Sequence, residues 1–238
     1  MHYAIIAAGQ GSRLRNEGID TPKPLVRLGG VTLLERLIGI FRSRPDCEAV
    51  SVIINPEVQA FAEASDSPLP WAGADNLVVA STPGSMHSLH RLSPLLRATG
   101  SRFCLTTVDT VFHPAEFDAY LDAMHADTQA DGYMAVTTYI DDEKPLYITI
   151  STPAESMITG FFDTPLPDAR HVSGGIYALP VSSLDILDDC MAAGETRMRD
   201  FQRALVAAGM RLRAYNFSRI IDIDHASDIP KALSLLSI

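Results

Sequence analysis

Residues 3–28 read Tyr3-Ala4-Ile5-Ile6-Ala7-Ala8-Gly9-Gln10-Gly11-Ser12-Arg13-Leu14 and, after a polar stretch, Thr21-Pro22-Lys23-Pro24-Leu25-Val26-Arg27-Leu28. The apolar run from Tyr3 to Ala7 has the character of a buried first strand. It runs directly into Gly9-Gln10-Gly11, where the missing side chains let backbone N–H groups close around an anion. Arg13 adds a fixed cationic fork. Lys23 stands between two prolines, which restrict the local backbone while its own stem stays free. Glycine loop, arginine and clamped lysine together describe a site for a polyphosphate.

Two other anion motifs fit less well. A dinucleotide fold wants G-x-G-x-x-G, and Leu14 stands where the third glycine belongs. It also wants an acid after the second strand, where Val52-Ile53-Ile54 ends in Asn55. A P-loop wants G-x-x-x-x-G-K-[ST], a string this chain lacks. A bare glycine turn with an incidental arginine leaves Pro22-Lys23-Pro24-Leu25 unexplained.

Outward from this stretch, composition sets the bounds. The chain has 238 residues, enough for one large α/β domain with a full core. Hydrophobic residues make up 47% and charged residues 20%, the balance of a soluble globular protein. A formal net charge of −10 argues against a general nucleic-acid surface. A bound nucleotide needs only a local cationic patch, which Arg13, Arg15, Lys23 and Arg27 are expected to supply. Cys47, Cys104 and Cys190 are odd in number and lack metal-ligand spacing, which suits thiols in a reducing cytosol. No apolar run approaches the ~20 residues of a membrane span. The first residues carry no cationic lead or cleavage site of a signal peptide. The expectation is a cytoplasmic protein.

Along the chain, Thr32 and Glu35 form a capping box ahead of an amphipathic helix ending near Arg44-Pro45. Strands are expected over 49–54, 76–80, 103–107 and 133–138, with helices from Pro56 to about Ala64, Met86 to Arg97 and Pro114 to His125. Residues 65–75 read as a surface loop. This alternation implies a mostly parallel, doubly wound sheet whose ligands bind beyond the carboxyl ends of the strands. The glycine loop and Asp109 both fall at that edge. The second half changes rhythm, with short strands at 147–151, 157–162, 172–179, 212–217 and 220–223. Helices are expected over 184–191 and 198–208, and a last one ending near Ile238.

Ala7-Ala8-Gly9-Gln10-Gly11-Ser12-Arg13-Leu14 with Pro22-Lys23-Pro24-Leu25 resembles the signature of the nucleotidyltransferases that activate sugar phosphates and related phosphoesters. The variant used by molybdopterin guanylyltransferases, with glycine in the second alanine position and aspartate before the lysine, is not matched. The resemblance implies a single-domain α/β chain, a Rossmann-like doubly wound mixed sheet of the nucleotidyltransferase (GT-A-like) type. Residues 1–138 would form its nucleotide-binding half and 139–238 its acceptor-binding half. The resemblance extends over most of the chain. It puts Asp109, here after Val108 rather than the family's usual glycine, where the family holds Mg²⁺. Asp222-Ile223-Asp224, ahead of His225-Ala226-Ser227-Asp228, resembles the family's closing acidic motif. Asp224 is the favoured second ligand, with Asp222 as a further ligand or orienter. Two carboxylates with phosphate oxygens and water suit octahedral Mg²⁺. Two such carboxylates repel each other, so asparagine at either position is expected to leave folding at least as favourable.

Thr82-Pro83-Gly84-Ser85-Met86-His87-Ser88 lies where the family contacts the base, which makes Gly84, Ser85 and Ser88 nucleotide-side candidates beside Ala7, Ala8, Gly9, Gln10 and Gly11. Ser173-Gly174-Gly175-Ile176-Tyr177 resembles the family's Gly-Ile-Tyr strand, whose backbone lines the acceptor pocket. Paired glycines in a strand mark either a close ligand approach or a bulge. Sugar-phosphate members often carry Glu-Lys-Pro upstream of that strand, with the lysine on the substrate phosphate. Here Phe162-Asp163-Thr164-Pro165 has none, and Arg170 is the nearest substitute. The implied activity is transfer of NMP from an NTP to a sugar phosphate or related phosphoester, with Arg13 and Lys23 as catalytic residues and pyrophosphate released. The expected partners are those two substrates, with neither nucleic acid nor membrane, and self-association left open. The alternative is a catalytically silent regulatory protein that binds a nucleotide or metabolite on the same fold.

Overall fold

β1 (His2–Ala7) is the axis of the sheet. The computed structural model describes residues 1–65, 68–100, 102–141 and 143–237. After β1 come α1 (Ser12–Asn16), a 3-10 turn (Lys23–Leu25), β2 (Arg27–Leu28), β3 (Val31–Thr32) and α2 (Leu33–Ser43). Then follow β4 (Ala49–Ile54), α3 (Pro56–Glu63), β5 (Asn76–Val79), α4 (Ser85–Ala98), β6 (Arg102–Thr107), β7 (Thr110–Val111), α5 (Pro114–Ala126) and β8 (Gly132–Thr137). The second half contributes β9 (Tyr147–Ile150), β10 (Ile158–Phe162), β11 (His171–Pro180), α6 (Ser183–Ala192), α7 (Met198–Ala207), β12 (Leu212–Phe217), β13 (Ile221–Asp222) and α8 (Asp228–Leu236). Residues 66 and 67 of the expected surface loop, and Ile238 after the last helix, lie outside the described residues.

β5, β4, β1 and β6 run parallel in that order, joined by helical crossovers. The parallel set does not continue directly into β8. β11 inserts between β6 and β8, antiparallel to both, and β12 pairs parallel with β8. The result is the mixed sheet, with β9 and β10 extending it beside the first residues of β11.

Side chains of β1 alternate between two cores. Tyr3, Ile5 and Ala7 face α2 and α5, while Ala4, Ile6 and Ala8 face α4. A strand covered on both faces must be apolar throughout, which explains the unbroken opening run. Tyr3 stacks on Phe41 at 4.7 Å between ring centroids, and Phe117 lies 5.5 Å from Phe41. The Thr32–Glu35 capping box forms as expected, with both hydrogen bonds present. No helix of the described residues is long and apolar enough to cross a membrane.

Gly174 and Gly175 form a bulge. The β8 register shifts between Ser173 and Tyr177, and Gly175 adopts φ +72°. At this point the edge of β11 passes from β9 to β6. A Cβ at Gly174 would meet Ile220 Cδ1 at 2.2 Å and the Ala135 carbonyl oxygen at 3.2 Å. Isoleucine's tip can shift, but a strand carbonyl cannot. Gly174→Ala is therefore expected to lose about 1–3 kcal/mol in urea denaturation. An unchanged midpoint would show that the bulge has room for a side chain.

Candidate active site

The glycine loop opens at the carboxyl end of β1. Gly9 and Gln10 are exposed, and Gly11 takes φ +59° as it enters α1. A Cβ on Gly11 would stand 3.2 Å from Lys23 Cβ, so a glycine here lets the loop and the lysine segment approach. In the sequence, Asn55 signals only that the acid of a dinucleotide site is missing. Its amide donates to the carbonyls of Ala8 and Gly9 at 3.3 and 3.2 Å, and its oxygen caps α3 through Val58 N–H at 2.9 Å. One side chain thereby fixes the loop to its neighbouring helix.

Lys23 emerges from the 3-10 turn that its flanking prolines enforce. Its Nζ donates to Asp109 Oδ2 at 2.8 Å and to Asp224 Oδ1 at 2.6 Å. The side chain is only 13% exposed. Burial alone would lower its pKa, but the two carboxylates reverse this and hold it above the ordinary lysine value. Arg13 Nη1 reaches the other oxygen of Asp224 at 2.6 Å, and its second nitrogen lies 4.0 Å from Glu143.

Asp109 and Asp224 meet because β7 pairs antiparallel with β13, Thr110 opposite Asp222, and Ile223 N–H donates to the Asp109 carbonyl at 3.1 Å. The turn after β13 is held from below. Asp228 Oδ2 accepts the N–H groups of Asp224 and His225 at 3.1 and 2.7 Å. Glu17 accepts from Ala226 N–H at 2.7 Å and pairs with His225 at 2.5 Å. That pairing raises the His225 pKa and lowers that of Glu17. Asp228 positions the turn locally, from three and four residues along, whereas Glu17 is a positioning residue that the sequence gives no means to single out, since it acts across a long separation.

Asp222 is exposed, stands opposite Thr110 in the β7–β13 pair and lines a cavity with Asp224. Among the described residues no three His, Cys, Asp or Glu side chains gather closely enough to hold a metal. The two-carboxylate pair fits a divalent cation on its own terms. Both donors are hard oxygens, and the Lys23 ammonium stands between them as a cation already does. Mg²⁺ takes few protein ligands and keeps waters and phosphate oxygens for the rest.

Ala7, Gly9, Gln10, Gly11, Lys23, Gly84, Ser85, Ser88, Thr107 and Asp109 line one cleft of about 450 Å³, a size that accommodates a nucleotide. Ala8 instead turns into the core. Gly84 is the N-cap residue of α4 and Ser85 its first helical residue. The Ser88 hydroxyl is buried against Thr82 Oγ1 at 2.7 Å and the Gly84 carbonyl at 3.3 Å, where it braces the turn. A second cleft of about 690 Å³ shares Pro83, Gly84, Ser85 and Thr107 with the first and reaches Ser173, Gly175 and Asp222. Gly174 lines a smaller cavity with Arg13, Glu143 and His225.

The expected cationic patch is narrower than the sequence suggested. Positions 13 and 15 lie about 200° apart on a helix, so Arg15 turns away to Glu57 at 2.5 Å. Arg27 donates to the Gly30 carbonyl within its own hairpin. Arg170 is exposed and lines neither cleft, because it stands on the loop entering β11.

A glycine loop after the first strand, a largely shielded lysine and two converging carboxylates on a mixed sheet define a domain of the nucleotidyltransferase class. The chain belongs to the MobA-like NTP transferase domain family, whose model matches residues 3–208. It is 24% identical over 233 residues to the bifunctional IPC transferase and DIPP synthase of Rubrobacter xylanophilus, covering 95% of this chain and 50% of that protein. The chain thus spans about half the length of that relative. Its fold is similar to that of the inositol-1-phosphate CTP transferase from T. maritima, with a TM-score of 0.77, 17% identity and coverage of 98% and 95% of the two chains. It is likewise similar to a UDP-glucose pyrophosphorylase complexed with UDP-glucose, with a TM-score of 0.75, 15% identity and coverage of 98% and 97%.

Proposed function

We propose that the chain transfers NMP from an NTP to a sugar phosphate or related phosphoester and releases pyrophosphate. The observation that carries this reading is the convergence of Lys23, Asp109 and Asp224 beside the glycine loop, at hydrogen-bond distance and largely shielded from water. The names of its relatives, which concern inositol-1-phosphate and UDP-glucose, support the acceptor class.

In this mechanism a phosphate oxygen of the acceptor attacks the α-phosphorus in line, and the bond to the β-phosphate oxygen breaks. Catalysis is positioning and charge stabilisation. The backbone N–H groups of Gly9 to Gly11 cradle the triphosphate. Arg13 leaves Asp224 and grips the departing pyrophosphate. Lys23 turns from the carboxylates to bridge the α-phosphate and the incoming phosphate. Asp109 and Asp224 would hold Mg²⁺, which supplies charge at the α-phosphate when bound. The three unbridged thiols suit a reducing cytosol, where we place the protein.

The experiment is pyrophosphate release with Mg²⁺ across the four NTPs and a panel of hexose, heptose, inositol and choline phosphates. Turnover with at least one pair supports the reading. NTP binding without release favours a silent binding protein. Arg13→Lys belongs in the same assay. Its fork can hold two phosphate oxygens at once, and an ammonium cannot. The expected loss is about tenfold or more in kcat/KM, and wild-type kinetics would reduce Arg13 to general charge.

A further inference from the structure

The second cleft carries more positive charge than the chain's acidic balance would suggest. Lys144, Arg197 and Arg199 line it, from the segment before β9 and from the start of α7, against the single carboxylate of Asp222. Its walls are built rather than loose. Gln202 is buried and donates to Ser173 Oγ at 3.0 Å, tying α7 to the bulged strand. Arg199 bonds Asp163 through one nitrogen and the Lys144 carbonyl through the other at 3.2 Å, which binds the Lys144 segment to α7. Asp163 also accepts from Arg203 at 2.7 Å, so a single carboxylate faces two guanidinium groups. Arg197 is different. Its backbone N–H donates to Asp200 at 3.2 Å, but among the described residues no carboxylate lies within salt-bridge distance of its guanidinium.

We propose that Arg197, flanked by Arg199 and Lys144, seats the phosphate of the acceptor. This rests on the nucleotidyl-transfer reading of the site. The cleft adjoins the nucleotide cleft through Pro83, Gly84, Ser85 and Thr107, so a phosphate held at its rim stands next to the α-phosphate position. The lysine that the sequence lacks after β10 is thereby replaced from α7, with Asp163 orienting Arg199 alongside. The rest of the lining offers hydrogen-bonding groups, Ser173, Thr196, Gln202 and Tyr177, the last its one aromatic among the described residues. Such a wall suits a hydroxylated phosphoester. A quaternary ammonium wants an aromatic cage, and the cations here would repel it.

The test is calorimetric titration of inorganic phosphate into the full chain and into Arg197→Ala, Arg197→Lys and Lys23→Ala. No turnover is involved, so failure of the transfer reaction would register in the pyrophosphate assay and not here. Arg197 is exposed, and its alanine variant is expected to melt as wild type. Without NTP, Lys23 stays on its two carboxylates and does not line this cleft, so wild type and Lys23→Ala are expected to bind phosphate alike at this seat. Arg197→Ala should weaken it by about tenfold or more, the scale of a lost charge-assisted pair, and Arg197→Lys should fall between. Absence of saturable phosphate binding by wild type overturns the proposal. So does weakening in Lys23→Ala with none in Arg197→Ala, which would put the phosphate in the nucleotide cleft.

Discussion

Lys23→Ala is expected to lower kcat/KM by about 100-fold or more, the scale of one missing donor to a developing oxyanion. The turn that carries the lysine persists, because Pro22 and Pro24 set its backbone. Stability is affected as well, for a reason visible only in three dimensions. The ammonium separates Asp109 from Asp224, and without it two carboxylates face each other. The variant should therefore melt below wild type, and added Mg²⁺ should raise its melting temperature more than that of wild type, where the metal has to displace Lys23. Near-normal turnover with an unchanged melting temperature would remove Lys23 from the mechanism.

Asp109→Asn and Asp224→Asn are each expected to abolish metal-dependent turnover, by about 100-fold or more, with Asp222→Asn affected less. Charge repulsion read from sequence predicts that the asparagine variants fold at least as well as wild type. The structure corrects that expectation. Each carboxylate is paired with Lys23, and Asp224 also with Arg13, so its loss leaves a largely buried ammonium with one partner fewer. A modest fall in melting temperature is expected in both variants. Should Asp222→Asn be inactive and Asp224→Asn active, the ligand would be the other member of the pair. Full activity in all three would dismiss the two-carboxylate site.

The features legible in the sequence are those with a local signal. The apolar run of β1, the glycine loop, the proline-clamped lysine and the capping box at Thr32 each declare themselves within a few residues, and each holds in the structure. The doubly wound mixed sheet and the family followed from them. What stayed hidden depends on pairing across long separations. β7 and β13 have two residues each, too few for any periodicity, yet their pairing brings Asp109 to Asp224. β11 gives no sign in its own sequence that it will insert antiparallel between β6 and β8. The roles of Asn55 and Glu17 arise from hydrogen bonds to loops elsewhere in the chain. The cationic residues near the loop looked equivalent in sequence, and helix geometry divides them, with Arg13 turned into the site and Arg15 away from it.

The proposed reaction moves the α-phosphorus of an NTP onto the acceptor phosphate. The most direct measurement follows label from an α-³³P NTP, incubated with Mg²⁺ and a hydroxylated phosphoester, into product. Label is expected to appear in a new species joined to the acceptor through a phosphoanhydride bond, in step with pyrophosphate, with transfer lost in Lys23→Ala and on chelation of the metal. Label that stays in tightly bound, unreacted NTP across the four bases and the phosphoester panel would contradict it.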